Sequence, residues 1–177
     1  IGKQPKTSIL NKPYTINKLK VSSLLIGTAK KDTLTGTNKI DLIIGHKKKD
    51  MLTGGANKAA DIFLLSIDQL GKRHADVITD FNGKHHDLIA LDRLDFPRGS
   101  KSKFKAVTSR KQLNKFAGKR VELIYAQNKG KLYLNANGTA DDFGADGGLI
   151  ATLKGKPLLE KNNIKYLELL APSDFAV

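Results

Sequence analysis

From residue 27 onward, polar and apolar positions recur with a period of nine. Gly27-Thr-Ala-Lys-Lys-Asp-Thr-Leu-Thr35, Gly36-Thr-Asn-Lys-Ile-Asp-Leu-Ile-Ile44 and Gly45-His-Lys-Lys-Lys-Asp-Met-Leu-Thr53 each place Gly first, Asp sixth and an aliphatic residue eighth. A fourth unit, from Gly54 to Leu64, carries two extra residues that move its Asp to Asp61. Each unit predicts a polar turn and then a short strand whose middle side chain faces inward, because alternate strand residues face opposite sides. On that pattern Leu34, Ile43, Leu52 and Phe63 stack in one column, with Leu25 beneath them. A single unit cannot bury its apolar residue alone, so the fixed period predicts a solenoid.

Residues 1–20 are Lys-rich and polar, hold Pro5 and Pro13, and show no clean period, which predicts an extended basic arm. Apolar content rises at Val21 and residues 24–26, where the first strand is expected. Beyond the repeats, residues 66–73 fit a short helix or turn. Residues 76–81 and 87–91 alternate like strands, and 92–96 close in a tight turn before Pro97. Residues 109–117 form an amphipathic helix with Thr108 or Ser109 as N-cap and Gly118 as its stop. Residues 121–126 and 131–135 flank Asn128-Lys-Gly130, a hairpin signal. Residues 149–153 add a strand, and the apolar segment 164–170 fits a last strand or a helical turn. The length suits one domain: an arm (1–20), a repeat section (21–65), a mixed section (66–170) and a tail (171–177).

Charge changes this picture. The chain has 31 Lys and Arg against 17 Asp and Glu, a net +14, with +9 in residues 1–60, +6 in residues 61–120 and −1 in the remainder. A field of that sign concentrates anionic partners. It fits an acidic protein complex, nucleic acid or an anionic membrane surface, and equally a solvated face with no partner. The densest stretch is 98–120, where Arg98, Lys101, Lys103, Lys105, Arg110, Lys111, Lys115, Lys119 and Arg120 occur without a single acid. Phe104 and Phe116 interleave with these cations at spacings that suit anchoring to a core better than stacking on bases, and no nucleic-acid reading motif is visible. No apolar run approaches the ~20 residues that cross a bilayer. With no Cys, disulfides, zinc-thiolate sites and thiol catalysis are excluded, while the compartment stays open. A start at Ile1 rather than Met fits a processed or trimmed segment.

The repeats resemble the nonapeptides of RTX proteins, G-G-x-G-x-D-x-U-x with U a large apolar residue. The resemblance continues through Ala75-Asp-Val-Ile-Thr-Asp-Phe-Asn82, Asp87-Leu-Ile-Ala-Leu91, Leu123-Ile-Tyr125 and Gly130-Lys-Leu-Tyr-Leu-Asn-Ala-Asn-Gly138. These segments look like the C-terminal domain of serralysin-type metalloproteases and other bacterial exoproteins, and the likeness spans residues 24–164. It implies a mainly β fold, a short parallel β-roll continuing into a β-sandwich with one or two short helices. It also implies a domain that binds calcium and assists folding and secretion; the H-E-x-x-H zinc helix of the proteases has no counterpart here. In that family calcium sits between successive turns, held by backbone carbonyls and by the Asp of each unit. Asp32, Asp41, Asp50 and Asp61 occupy that place.

The departures from the pattern bear on calcium. The fourth place, normally Gly, holds Lys30, Lys39, Lys48 and Asn57, and the second Gly is replaced by Thr28, Thr37 and His46. A left-handed backbone costs Lys ~1–2 kcal/mol where it costs Gly little. A nearby ammonium also repels a divalent cation, and calcium needs about six to eight oxygen ligands. The calcium sites are therefore expected to be mostly or wholly lost, leaving no cofactor. A sharper expectation is that the lysines neutralise the Asp turns in place of the metal; the plainer one is that they point to solvent.

No catalytic set stands out. His46, His74, His85 and His86 fall in or near turns, and His85 and His86 would face opposite sides of a strand. Asp92 and Asp95, close to Asp87, suit bonding to backbone amides. Asp141, Asp142 and Asp146 lie in a Gly-rich acidic loop, read either as solvated or as a weak cation site. No phosphate-binding glycine loop is present. The expectation is a non-enzyme without a small-molecule substrate. The first reading is a structural or assembly protein of linker type, docking on an acidic complex through Lys30, Lys39, Lys48, Lys101, Lys103, Lys105, Arg110, Lys111, Lys115 and Arg120. RTX-like domains occur in cyanobacteria, whose acidic phycobilisome antennae are joined by basic linkers, and such a role would be cytoplasmic. The second reading is a secreted, extracellular calcium-binding terminal domain. The third is non-specific nucleic-acid binding.

Overall fold

Three short strands precede the repeats: β1 (Ser8–Leu10), β2 (Tyr14–Ile16) and β3 (Leu19–Val21). The repeats supply β4 (Ser23–Ile26), β5 (Thr33–Thr35), β6 (Asp41–Ile44), β7 (Met51–Thr53) and β8 (Ile62–Leu65). β9 (Asp76–Ile78) and β10 (Leu88–Asp92) follow. Then come β11 (Phe104–Val107), the helix α1 (Arg110–Ala117), β12 (Leu123–Ala126), β13 (Lys131–Leu134), β14 (Gly148–Leu153) and β15 (Ile164–Leu167). The computed structural model describes residues 8–10, 14–16, 19–55, 58–67, 70–92, 103–136, 140 and 142–167. Of the expected turn at 92–96 only Asp92 is described, as the last residue of β10, and the tail 171–177 lies outside the described residues.

The protein is mainly β, with a first sheet ordered β1-β4-β6-β8-β10-β15, a second ordered β11-β12-β13-β14-β9-β7-β5, and a β2–β3 hairpin. Strands β4 to β10 alternate between the two sheets, so each nine-residue unit is half of a coil. β4, β6, β8 and β10 run parallel in the first sheet, and β5, β7 and β9 run parallel in the second. The single apolar column expected from the period is therefore two columns. Leu25, Ile43, Phe63 and Ile89 stand in register on one sheet, and Leu34, Leu52 and Ile78 on the other, within one shared core.

The composition of the units explains the alternation. β6 and β8 carry continuous apolar runs and are buried on both faces, as such runs require. Their outward side chains Leu42, Ile44, Ile62 and Leu64 join Val21 and Leu24 in a second core. In β5 and β7 only the central Leu34 and Leu52 are fully buried. β1 pairs antiparallel with β4 at the edge of the first sheet, so part of the expected arm is strand.

α1 is the crossover that lets β11 and β12 run parallel. Ser109 is its N-cap, accepting the Gln112 N–H at 3.2 Å, and Gly118 is its C-cap. Leu113, Phe116 and Ala117 seat it on Val107, Ile124 and Ala126. β12 and β13 form the expected hairpin, and Gly130 turns it at φ 62°, where a Cβ would strike the Leu153 carbonyl.

Candidate functional site

Asp32, Asp41, Asp50 and Asp61 are all buried, and Asp76 and Asp87 continue their places beyond the repeats, equally buried. Parallel coiling stacks the six in two lines. On one side Asp50 Oδ1 accepts the Asp32 N–H at 2.7 Å and Asp76 Oδ1 accepts the Asp50 N–H at 2.8 Å. On the other, Asp61 Oδ1 accepts the Asp41 N–H at 3.1 Å and Asp87 Oδ1 the Asp61 N–H at 3.0 Å, with the Ser23 hydroxyl donating to Asp41 at the head of the line. Asp50, Asp76, Asp61 and Asp87 thus each satisfy a backbone donor one coil back, as a buried N–H requires. Gly in the first place makes room for this. A Cβ on Gly45 would lie 2.6 Å from Asp50 Oδ2 and 2.7 Å from Asp76 Oδ2.

The second-place threonines complete two of the turns. Asp32 Oδ2 accepts the Thr28 N–H at 2.5 Å and its hydroxyl at 2.9 Å; Asp41 Oδ2 accepts the Thr37 N–H at 2.6 Å and its hydroxyl at 3.2 Å. The same hydroxyl oxygens accept the N–H groups of Lys30 and Lys39, each at 3.1 Å. This ring of bonds closes the turn without a left-handed residue. Of the three fourth-place lysines only Lys48 is left-handed, at φ 73°, together with His46 at φ 68°. The expected strain at Lys30 and Lys39 is absent because the threonines changed the turn. In the third unit, where His46 replaces Thr, Asp50 Oδ2 is buried with no hydrogen-bond partner.

Burial dominates the electrostatics of these groups. It pushes Asp61 up to about 7, helped by the like charges of Asp87, Asp41 and Asp80. It also pushes Asp50 up to about 6, and raises Asp41 and Asp87. Lys31 and Lys39 act the other way on Asp50 and Asp41 through space. Lysine thus supplies field, while threonine and backbone supply the hydrogen bonds.

In the first two units Asp32 Oδ2 and both oxygens of Asp41 accept hydrogen bonds, whereas Asp32 Oδ1 is buried with no partner. Among the described residues no group of three or more His, Cys, Asp or Glu is arranged to hold a metal. The unpartnered carboxylate oxygens, Asp32 Oδ1 and Asp50 Oδ2, are the places with the most to offer a cation. His85 ends a 3-10 turn over residues 83–85 and His86 caps it at φ 68°, so both fall in a turn as expected. A cleft of about 580 Å³, lined in part by Phe81, Lys84, Lys154, Leu158 and Glu160, is mixed in charge.

The predicted partner-binding cations fall into two patches. Lys30 and Lys48 are exposed on the turns that lead into β5 and β7, and Lys39 on the turn from β5 to β6 at the other end of β5. Lys103 just before β11, Lys105 on it, Arg110, Lys111 and Lys115 on α1, and Arg120 beyond it are exposed at the other end; Lys101 lies outside the described residues. β5 and β11 are opposite edges of the second sheet, about 29 Å apart at ~4.8 Å per strand. Register adds residues that a nine-residue period hides. With Asp32, Asp50 and Asp76 aligned, the turns that hold Lys30 and Lys31, Lys47 to Lys49, and Arg73 follow one another along one side of the coils. Phe104 and Phe116 pack inward, and the Nζ atoms of Lys105 and Lys115 lie 5.8 and 6.0 Å from the Phe116 ring centre.

No protein-family model matches the chain, and no curated protein is detectably similar to it in sequence. No helix among the described residues is long and apolar enough to cross a membrane.

Proposed function

We propose that the chain is a non-enzymatic structural or assembly protein, a short parallel β-roll running into a β-sandwich, which holds its shape without calcium and docks on an acidic protein complex. The observation that carries this reading is the β11–α1 segment. Lys103, Lys105, Arg110, Lys111, Lys115, Lys119 and Arg120 are all exposed there, with no acid between residues 98 and 120. α1 is anchored by its own apolar cluster, so this charge rides on an ordered element. Such a field speeds encounter with an acidic surface and disfavours basic ones. A phycobilisome is one acidic complex whose linkers have this character. The threonine-closed turns support calcium independence.

Immobilised chain at low salt is expected to retain acidic proteins and release them as salt screens the patch. The variant R110E/K111E/K115E should lose them. Retention indifferent to both salt and substitution would overturn the reading. Capture of nucleic acid in place of protein, with a steep salt dependence, would replace it. One observation favours a second reading, a calcium-binding terminal domain of an exoprotein: the unpartnered Oδ2 of Asp50 beside a left-handed turn.

A further inference from the structure

β5 is the last strand of the second sheet. On its inner side the Met51 N–H bonds the Asp32 carbonyl and the Gly36 N–H bonds the Thr53 carbonyl. In a parallel ladder the intervening residues then turn their N–H and C=O groups the other way. Those residues are Thr33 and Thr35, both exposed, and among the described residues no strand pairs with that side.

The Asp line points to the same place. Asp50 Oδ1 and Asp76 Oδ1 each accept an N–H from the coil before, whereas Asp32 Oδ1 is buried with no hydrogen-bond partner. In the other line the Ser23 hydroxyl fills the corresponding position at Asp41. By the symmetry of the coils the second sheet is one strand short at this edge, and the missing strand would bring a donor to Asp32. Exposed Lys30, Lys31 and Lys39 flank β5, while Asp32 and Asp41 beside them are buried. A second copy of this chain would bring those lysines against their own kind. An acidic strand would be matched.

We propose that the β5 edge is a strand-addition site for an extended acidic segment of a partner protein. The segment's backbone pairs with Thr33 and Thr35, and its carboxylates meet Lys30, Lys31 and Lys39; main-chain bonds give such complexes affinity and side chains give selectivity. This rests on the acidic-partner reading and adds a contact about 29 Å from the α1 patch.

The test uses the full chain and an eight-residue peptide of alternating Glu and Val, titrated at low salt. Amide signals of Thr33 and Thr35 are expected to shift. Thr35→Pro removes only an outward N–H, so it should weaken binding at least tenfold while the β5–β7 ladder stays intact; an edge strand tolerates Pro with its N–H side in solvent. N-methylation of alternate peptide amides should weaken binding similarly, and this arm decides the matter if Thr35→Pro fails to fold. R110E/K111E/K115E should leave the shifts at Thr33 and Thr35 in place, whereas it abolishes the capture described above, so the two readings can fail separately. Equal binding to wild type and Thr35→Pro, shifts confined to residues 103–120, or no binding would each overturn the proposal. A homodimer lost on Thr35→Pro would overturn the choice of partner.

Discussion

Thr28 and Thr37 each give an amide and a hydroxyl to a buried carboxylate, and each takes back the N–H of a lysine two residues on. His46 has no such hydroxyl, and its turn keeps the left-handed backbone at residues 46 and 48. The same lysine in the same place of the repeat therefore has two energetics. Lys48→Gly relieves a left-handed side chain and is expected to stabilise by about 1 kcal/mol. Lys30→Gly only frees the unfolded chain and is expected to destabilise by up to about 1 kcal/mol. Denaturation midpoints check this, and shifts of one sign for both variants would contradict it. The threonines are plain in the sequence. Their role is not, because a hydroxyl four residues from a carboxylate becomes its neighbour only once the turn has closed.

Between elements, the Asp lines join coil to coil by hydrogen bonds that alignment of the repeats cannot show. They are also the least favourably charged part of the interior. Burial raises Asp50 to about 6 and Asp61 to about 7, from 3.8 in an exposed chain. The folded protein therefore holds protons that the unfolded chain releases between those values. The stability this confers is fully present below about pH 3.8 and is lost as pH rises through 6 and 7. Melting temperature is expected to rise as pH falls from about 8 to about 5, opposite to ordinary acid destabilisation. A fall over that range would contradict the burial of these groups. At this scale much was legible. Ser109, Gly118 and the turn at Gly130 mark α1 and its hairpin by local chemistry. The partition of the repeats into two sheets was only half visible, in the contrast of Thr-Leu-Thr and Met-Leu-Thr with Leu-Ile-Ile and Phe-Leu-Leu. β11 was hidden, since its sequence Phe-Lys-Ala-Val reads as part of a basic run, and its pairing with β12 depends on α1 crossing between them.

Taken whole, the described residues form two sheets between which parallel strands alternate, with buried carboxylates and exposed cations, and a βαβ unit and a hairpin extend the second sheet to seven strands. The described partner-binding candidates lie toward the two edges of that sheet, a separation that net charge alone cannot reveal. We propose that the threonine-closed turns, the backbone-bonded carboxylates and the ammonium field together make a scaffold whose shape needs no metal. The most direct test is the melting temperature of the full chain in excess calcium and in chelator at neutral pH. Values equal within about 2 °C are predicted, since a stabilising ligand acts only through binding to the folded state. A rise of about 10 °C with calcium would mean several kcal/mol of binding energy and would contradict a metal-independent scaffold.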